Sequence, residues 1–289
     1  MNRMLGIAAG IGLGMISATP SIAQTAGAPA DTSATHTVAT VGDVQFFAGI
    51  RLWANEWDFS SLSARRAVDP SNPSNVVLRD EVVSDVSDVK FVPMPTFGAR
   101  YGNFLGSITY FVPTSYSVKG VLSRDVKRSE LDVTAGYFVL PSLLLSIGYK
   151  HAKVDRLIEG LDSGQDISAI LLGLSASAPL SDRLSLYGNF AYGLGRQKSD
   201  SPDPRGKDRY SSTYAIGEVG LSYRILEGRA GMFVKSLTGS IGYRAQSYTT
   251  KDVGLGTYAM ANPNVPIATT TRDVQTSTNG VVVALVASF

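Results

Sequence analysis

From Val44 to Phe289, apolar and polar side chains alternate with a period of two. Over 237–246, Leu237, Gly239, Ile241, Tyr243 and Ala245 share one face, and Thr238, Ser240, Gly242, Arg244 and Gln246 share the other. Leu131, Val133, Ala135, Tyr137 and Val139 alternate with Glu130, Asp132, Thr134 and Gly136. Phe46, Ala48, Ile50 and Leu52 alternate with Phe47, Gly49, Arg51 and Trp53. This is the period of a β-strand, whose successive side chains point to opposite faces. Ten such segments can be drawn, at 44–57, 90–101, 104–117, 129–140, 143–153, 166–178, 184–195, 209–224, 235–249 and 272–289. After Val44 no apolar run approaches the roughly 18 residues of a membrane helix, so a helical membrane protein is excluded.

The connections sort by length. Gly102-Asn103, Leu140-Pro141-Ser142, Pro179 to Arg183 and Leu226 to Val234 are short, whereas 58–89, 118–128, 154–165, 196–208 and 250–271 are long and polar. Outer-membrane barrels combine short periplasmic turns with longer extracellular loops. With the first strand running outward, Tyr101, Tyr137, Tyr223 and Phe289 fall on the apolar face at the periplasmic ends. Tyr116, Tyr149 and Tyr192 fall on that face towards the outer ends. Two belts of rings match the two membrane interfaces. Pro93 and Pro95 interrupt the second segment, because proline cannot donate a ladder hydrogen bond. They mark an outer end or a bulge there.

The amino terminus is a targeting segment. Arg3 precedes an apolar stretch, Met4 to Ile16, and Ser21-Ile22-Ala23 places small residues where a signal peptidase reads, so cleavage is expected after Ala23. Residues 24–43 are rich in Ala, Thr and Pro and read as a flexible periplasmic tail, leaving 44–289 for the barrel. Composition narrows the picture further. There is no cysteine, which excludes disulfides, thiolate metal sites and a cysteine nucleophile. Lys+Arg 26 against Asp+Glu 24 gives a formal net charge of +2, so no basic footprint suggests nucleic acid.

The segment Val281-Val282-Val283-Ala284-Leu285-Val286-Ala287-Ser288-Phe289 resembles the terminal strand of Gram-negative outer-membrane β-barrel proteins. The resemblance implies that Val281, Val283, Leu285, Ala287 and Phe289 form a signal read by the barrel-assembly machinery. It also implies an exported protein of the outer membrane, with outer-membrane lipid and lipopolysaccharide as neighbours. Ala287 is smaller than the residue usual in such strands. The expected fold is all-β: a single antiparallel transmembrane β-barrel of about ten strands, with eight or twelve as the alternatives.

On this register the inward face carries Arg51, Arg100, Lys150, Arg224 and Arg244 with Glu130, Asp132 and Glu218. Unpaired charge in a narrow interior is costly, so these groups pair across the lumen or stay hydrated. Two readings follow: a plugged structural barrel, or a narrow porin-like channel passing small polar solutes. A surface adhesion or receptor protein, acting through the long outer loops, is the alternative.

The constellations of catalysis are missing from the sequence. Omptin proteases, also ten-stranded, need paired aspartates and an Asp–His couple. His151 has no carboxylate two residues before it and falls on the lipid face, and His36 sits in the tail. Asp80, Glu81, Asp85 and Asp88 lack the spacing of a calcium loop and read as a solvated loop. Gly254-x-Gly256 lacks the strand-to-helix context of a phosphate cradle. The sequence thus leads to the expectation of no enzyme, no metal and no cofactor.

Overall fold

Twelve strands follow one another among the described residues of the computed structural model: β1 (Val44–Asp69), β2 (Asn72–Ser87), β3 (Lys90–Tyr101), β4 (Phe104–Lys119), β5 (Arg124–Leu140), β6 (Leu143–Ile158), β7 (Leu161–Asp162), β8 (Gln165–Pro179), β9 (Leu184–Ser199), β10 (Arg209–Glu227), β11 (Ser236–Ala259) and β12 (Asn262–Ser288). The structure describes residues 44–69, 72–119, 124–158, 161–162, 164–228, 233–260 and 262–289; the expected signal peptide and tail lie outside them. Among the described residues no helix occurs.

Every pairing is antiparallel, and the ring closes where β12 meets β1, with Phe47 opposite Ser288 and Trp53 opposite Val282. Ten strands make up the ring among the described residues: β1, β3, β4, β5, β6, β8, β9, β10, β11 and β12. β7 is a two-residue stub on β6. β2 prolongs β3 along the same partner, since Asn55 faces Lys90 and Asp58 faces Val86. Closure gives every ring strand a partner on both sides among the described residues, which is what a bilayer requires of a sheet.

The short turns and the end of β12 share one end of the barrel, where Phe289 N–H donates to the Phe46 carbonyl at 2.8 Å. At the opposite end β1–β2 and β11–β12 run on as tall hairpins. The segments 58–89 and 250–271, expected as loops, are therefore largely strand. Their polar residues pair through the backbone, and a two-sided polar strand gives no apolar alternation to read.

Outward-facing Ile50, Leu52, Ile147, Leu172, Leu194 and Ile241 are exposed and form a continuous apolar belt. Tyr101, Tyr137 and Tyr223 border it at the short-turn end, and Tyr149 and Tyr192 at the other level. Tyr116 departs from this expectation: it is fully buried inside the barrel. A bulge between Phe111 and Thr114 shifts the register of β4 against β5 by one residue, and a shift of one turns every later side chain to the other face.

The prolines also have a definite effect. Pro95 and Pro93 stay in β3 opposite Ile50 and Leu52, but the β3–β4 ladder ends at Thr96 opposite Thr109. Lacking N–H groups, the two prolines cannot extend it.

Candidate functional site

The interior is filled in layers. At the short-turn end Phe47, Leu105, Phe138, Leu144 and Val286 form an apolar plug. Glycines let the walls approach here. A Cβ on Gly98 would collide with the Phe47 ring, and one on Gly136 would come within 2.8 Å of Leu144 Cδ1.

Above the plug, side chains from β1, β5, β6, β10 and β11 form one chain of charges. Arg51 bonds Glu218, whose second oxygen accepts from the Tyr187 hydroxyl at 3.0 Å. Arg244 reaches Glu218 at 3.4 Å and Asp132 at 3.9 Å. Lys150 bridges Asp132 at 2.6 Å and Glu130 at 2.5 Å. Glu130 also bonds Arg128 and accepts from Gln246 at 3.0 Å. Four cations thus meet three carboxylates: Arg51, Arg128, Lys150 and Arg244 against Glu130, Asp132 and Glu218.

Aromatic faces take up the surplus positive charge. Arg244 lies 5.1 Å from the Trp53 ring centre, Arg128 5.0 Å from Trp57, and Lys150 5.3 Å from Tyr214. Such contacts gain strength where water is excluded. The side chains of Lys150 and Glu218 are only 1% exposed, so neither charge is solvated by bulk water. Each depends on its partners.

The sequence-derived residues divide accordingly. Arg51, Glu130, Asp132, Lys150, Glu218 and Arg244 are brought together. Arg100 points inward but sits at the short-turn end, donating to the Gly102 carbonyl at 2.8 Å and stacking 4.5 Å over Phe138. Arg224 lies at the same end, 3.5 Å from the exposed Glu227. Arg128 was not among the expected residues. The stretch 124–129 holds one apolar residue, Val126, and so reads as loop, yet β5 starts at Arg124. Val281, Val283 and Leu285 face outward and are exposed, and the Phe289 ring packs 5.0 Å from Phe233.

Above the charges Trp53, Trp57, Phe111 and Tyr116 pack into a second apolar cluster on one side, and Ile167, Tyr214, Ile216 and Tyr248 into another on the other side. Beyond Tyr248, at the hairpin end, a cavity of about 500 Å³ opens. The acidic segment 80–88 is no uniform solvated loop: Asp85 is buried, Asp80 lines the cavity and Asp88 pairs with Lys90 at 2.6 Å. Among the described residues no group of carboxylates and histidines has metal-site geometry.

Comparison with protein-family models finds no match, and comparison with curated proteins finds none either. Solved structures do match. The outer membrane protease OmpT of Escherichia coli aligns at 11% identity and a TM-score of 0.37, covering 86% of this chain and 98% of that one. OmpT of Vibrio cholerae, an outer membrane protein, aligns at 14% identity and 0.29, covering 85% and 97%. The Pseudomonas putida toluene transporter TodX aligns at 9% identity and 0.27, covering 85% and 89%. At these scores no activity or substrate carries over to this chain. One expectation is nevertheless corrected: with a protease among the matched structures, the exclusion of enzymatic function is withdrawn.

Proposed function

We propose that this chain is a Gram-negative outer-membrane β-barrel with a closed lumen. It acts as a stable scaffold whose outer hairpins and loops are its working surface. The signal segment 1–23 would direct export, and Val281, Val283, Leu285, Ala287 and Phe289 would be read by the assembly machinery. Lipid and lipopolysaccharide would surround the apolar belt. The observation that carries the reading is the unbroken chain of contacts from Arg51 through Glu218, Arg244, Asp132, Lys150 and Glu130 to Arg128. It crosses the interior between an apolar plug and aromatic clusters, and side chains paired in this way across a narrow interior support a lumen closed to ions.

A receptor role is the second reading, favoured by the tall β1–β2 and β11–β12 hairpins and by the cavity they line together with β8, β9 and β10. The test is single-channel recording in a planar bilayer, on protein whose folding is established by a gel shift between heated and unheated samples. A folded, silent barrel is the expected result. Discrete conductance steps would overturn the closed-lumen reading and return the inward arginines to a selectivity role.

A further inference from the structure

We propose that the cavity at the hairpin end is a binding site for a neutral saccharide of one or two sugar rings. Its volume of about 500 Å³ lies within the roughly 300–1,000 Å³ of small-molecule sites. Three tyrosines line it, Tyr210, Tyr248 and Tyr258, together with the amides Gln165 and Gln197 and the carboxylate Asp80.

Each of these groups is held in place by the fold. Tyr248 forms the floor, stacked on Tyr214 with ring centres 6.1 Å apart and planes 16° from parallel. Gln165 accepts from the Tyr248 hydroxyl at 3.3 Å, and Gln197 accepts from Thr250. Both amides thereby use their oxygens on the wall and keep N–H donors for a ligand. Asp80 accepts from Gly256 N–H at 2.7 Å and from the Tyr258 hydroxyl at 3.1 Å. Both bonds fall on Oδ2, which leaves Oδ1 to a ligand hydroxyl.

Gly254 and Gly256, which carry no phosphate-binding pattern, have this structural task. Gly254 N–H holds Asp203 at 2.9 Å, and Gly256 N–H holds Asp80. A Cβ on Gly254 would collide with the Asp203 carboxylate, and one on Gly256 with the Tyr258 ring. Asp252, with φ of 54°, makes the bend that presents these two amides.

The lining chemistry selects the ligand. Tyr258 and the side of Tyr248 away from Tyr214 offer apolar ring surface to the C–H side of a sugar, while amides, hydroxyls and one carboxylate offer donors and acceptors to its hydroxyl groups. No lysine or arginine lines the cavity among the described residues, and the cations beside it are engaged, Arg205 with Asp203 at 2.7 Å and Lys207 over the Tyr210 ring at 5.0 Å, so phosphates and acidic sugars find no free counter-charge. Asp203 is already neutralised by Arg205 at 2.7 Å, so the negative charge left for an organic cation is that of Asp80.

The site rests on the outward orientation of the closed-barrel reading, and the two fail separately, since conductance reports the lumen and binding reports the cavity. The full chain is refolded in an amine-oxide detergent, which has no sugar headgroup. It is titrated calorimetrically with maltose, lactose, cellobiose and N,N′-diacetylchitobiose, and with choline and glucose phosphate as charged comparisons. The expected result is saturable binding of at least one neutral disaccharide with Kd at or below about 1 mM. Gln165→Ala with Gln197→Ala weakens it about tenfold or more. Ser199→Trp, which fills the cavity from its rim, abolishes it with the gel shift retained. Leu194→Ala, on the lipid face, leaves it unchanged. The proposal is overturned if no neutral sugar saturates, if choline or glucose phosphate binds more tightly than every neutral sugar, or if the folded Ser199→Trp protein binds as the parent does.

Discussion

Arg51 on β1 and Glu218 on β10 lie 167 residues apart in the chain, yet their side chains meet in the barrel interior. No local signal couples them. Barrel closure aims both inward, and the shared carboxylate then gathers Arg244 at 3.4 Å and the Tyr187 hydroxyl at 3.0 Å. Glu218 is thus the acceptor for two buried guanidinium groups. Removing it leaves both charges without that partner.

Glu218→Ala should destabilise the barrel by about 3–5 kcal/mol, the cost of stranding a buried charge rather than the net value of the pair. The double substitution Arg51→Met with Glu218→Leu removes one of the two guanidinium groups together with its partner and should recover part of the loss, since Arg244 keeps only Asp132, at 3.9 Å, as a carboxylate partner. Urea unfolding in lipid vesicles, followed through the interior fluorophores Trp53 and Trp57, measures both. Equal destabilisation by the single and double variants would show that these charges are not coupled.

Close approach of the walls makes a second, purely steric prediction. A Cβ at Gly280 would collide with the Ala54 carbonyl oxygen and lie 2.7 Å from Asn55 Cα, and both are backbone atoms that cannot swing away. Gly106 faces outward, with nothing within 4 Å of its ideal Cβ. Gly280→Ala should therefore cost about 1–3 kcal/mol and lower refolding yield. Gly106→Ala should stay within roughly 0.5 kcal/mol of the parent. Matched refolding yields, read by the heated-versus-unheated gel shift, test the contrast.

Sequence and structure agree where a strand has one wet and one apolar face. All ten segments read from alternation coincide with strands of the ring, because every ring strand has an exposed apolar face on one side and a packed interior on the other. Where both faces are polar the pattern falls silent, and Ser60 to Arg66, which pair with 78–84 of β2, look like loop. Arg128 was hidden for the same reason, since only Val126 marks the start of β5 as strand. Tyr116 shows a different limit. Alternation carries register forward faithfully until a bulge adds a residue, and the bulge near Pro113 leaves no mark in the apolar pattern. The charge partners are unreadable for a third reason. Inward direction follows from periodicity, but which strand faces which across a lumen depends on strand tilt and closure.

The Phe289 ring packs against Phe233 at 5.0 Å just past the end of β12, whereas its backbone N–H bond to Phe46 survives any side-chain change. Phe289→Ala should then refold in detergent nearly as well as the parent. If the outward row Val281, Val283, Leu285, Ala287 and Phe289 is a recognition signal, the same variant should assemble poorly in cells, with the heat-modifiable fraction down several-fold. Equal losses in both settings would assign the ring to stability instead.

Asp203 sets a pH limit on the outer end. Burial acts to raise its carboxyl, but the Arg205 side chain and the backbone N–H groups of Lys207, Arg205 and Gly254 outweigh it and hold the carboxyl below the ordinary carboxylate range. A depressed value in the folded state means that stabilisation is complete above the unfolded value of about 4 and is lost as pH falls through the lower folded one. Protection of the Gly254 and Lys207 amides against hydrogen exchange, corrected for intrinsic rates, should stay level from neutral pH to about 4 and then decline. Asp203→Asn keeps the shape but removes the charge from contacts of 2.7–3.1 Å. Hydrogen bonds to a charged group are each worth about 1.5–3 kcal/mol, so protection of these amides in the variant should fall about tenfold or more at neutral pH. Its acid dependence should vanish with the titrating group. Unchanged protection in the variant would mean that the loop is held by its other contacts, and that Asp203 does not fix the wall on which the Gly254 to Tyr258 strap depends.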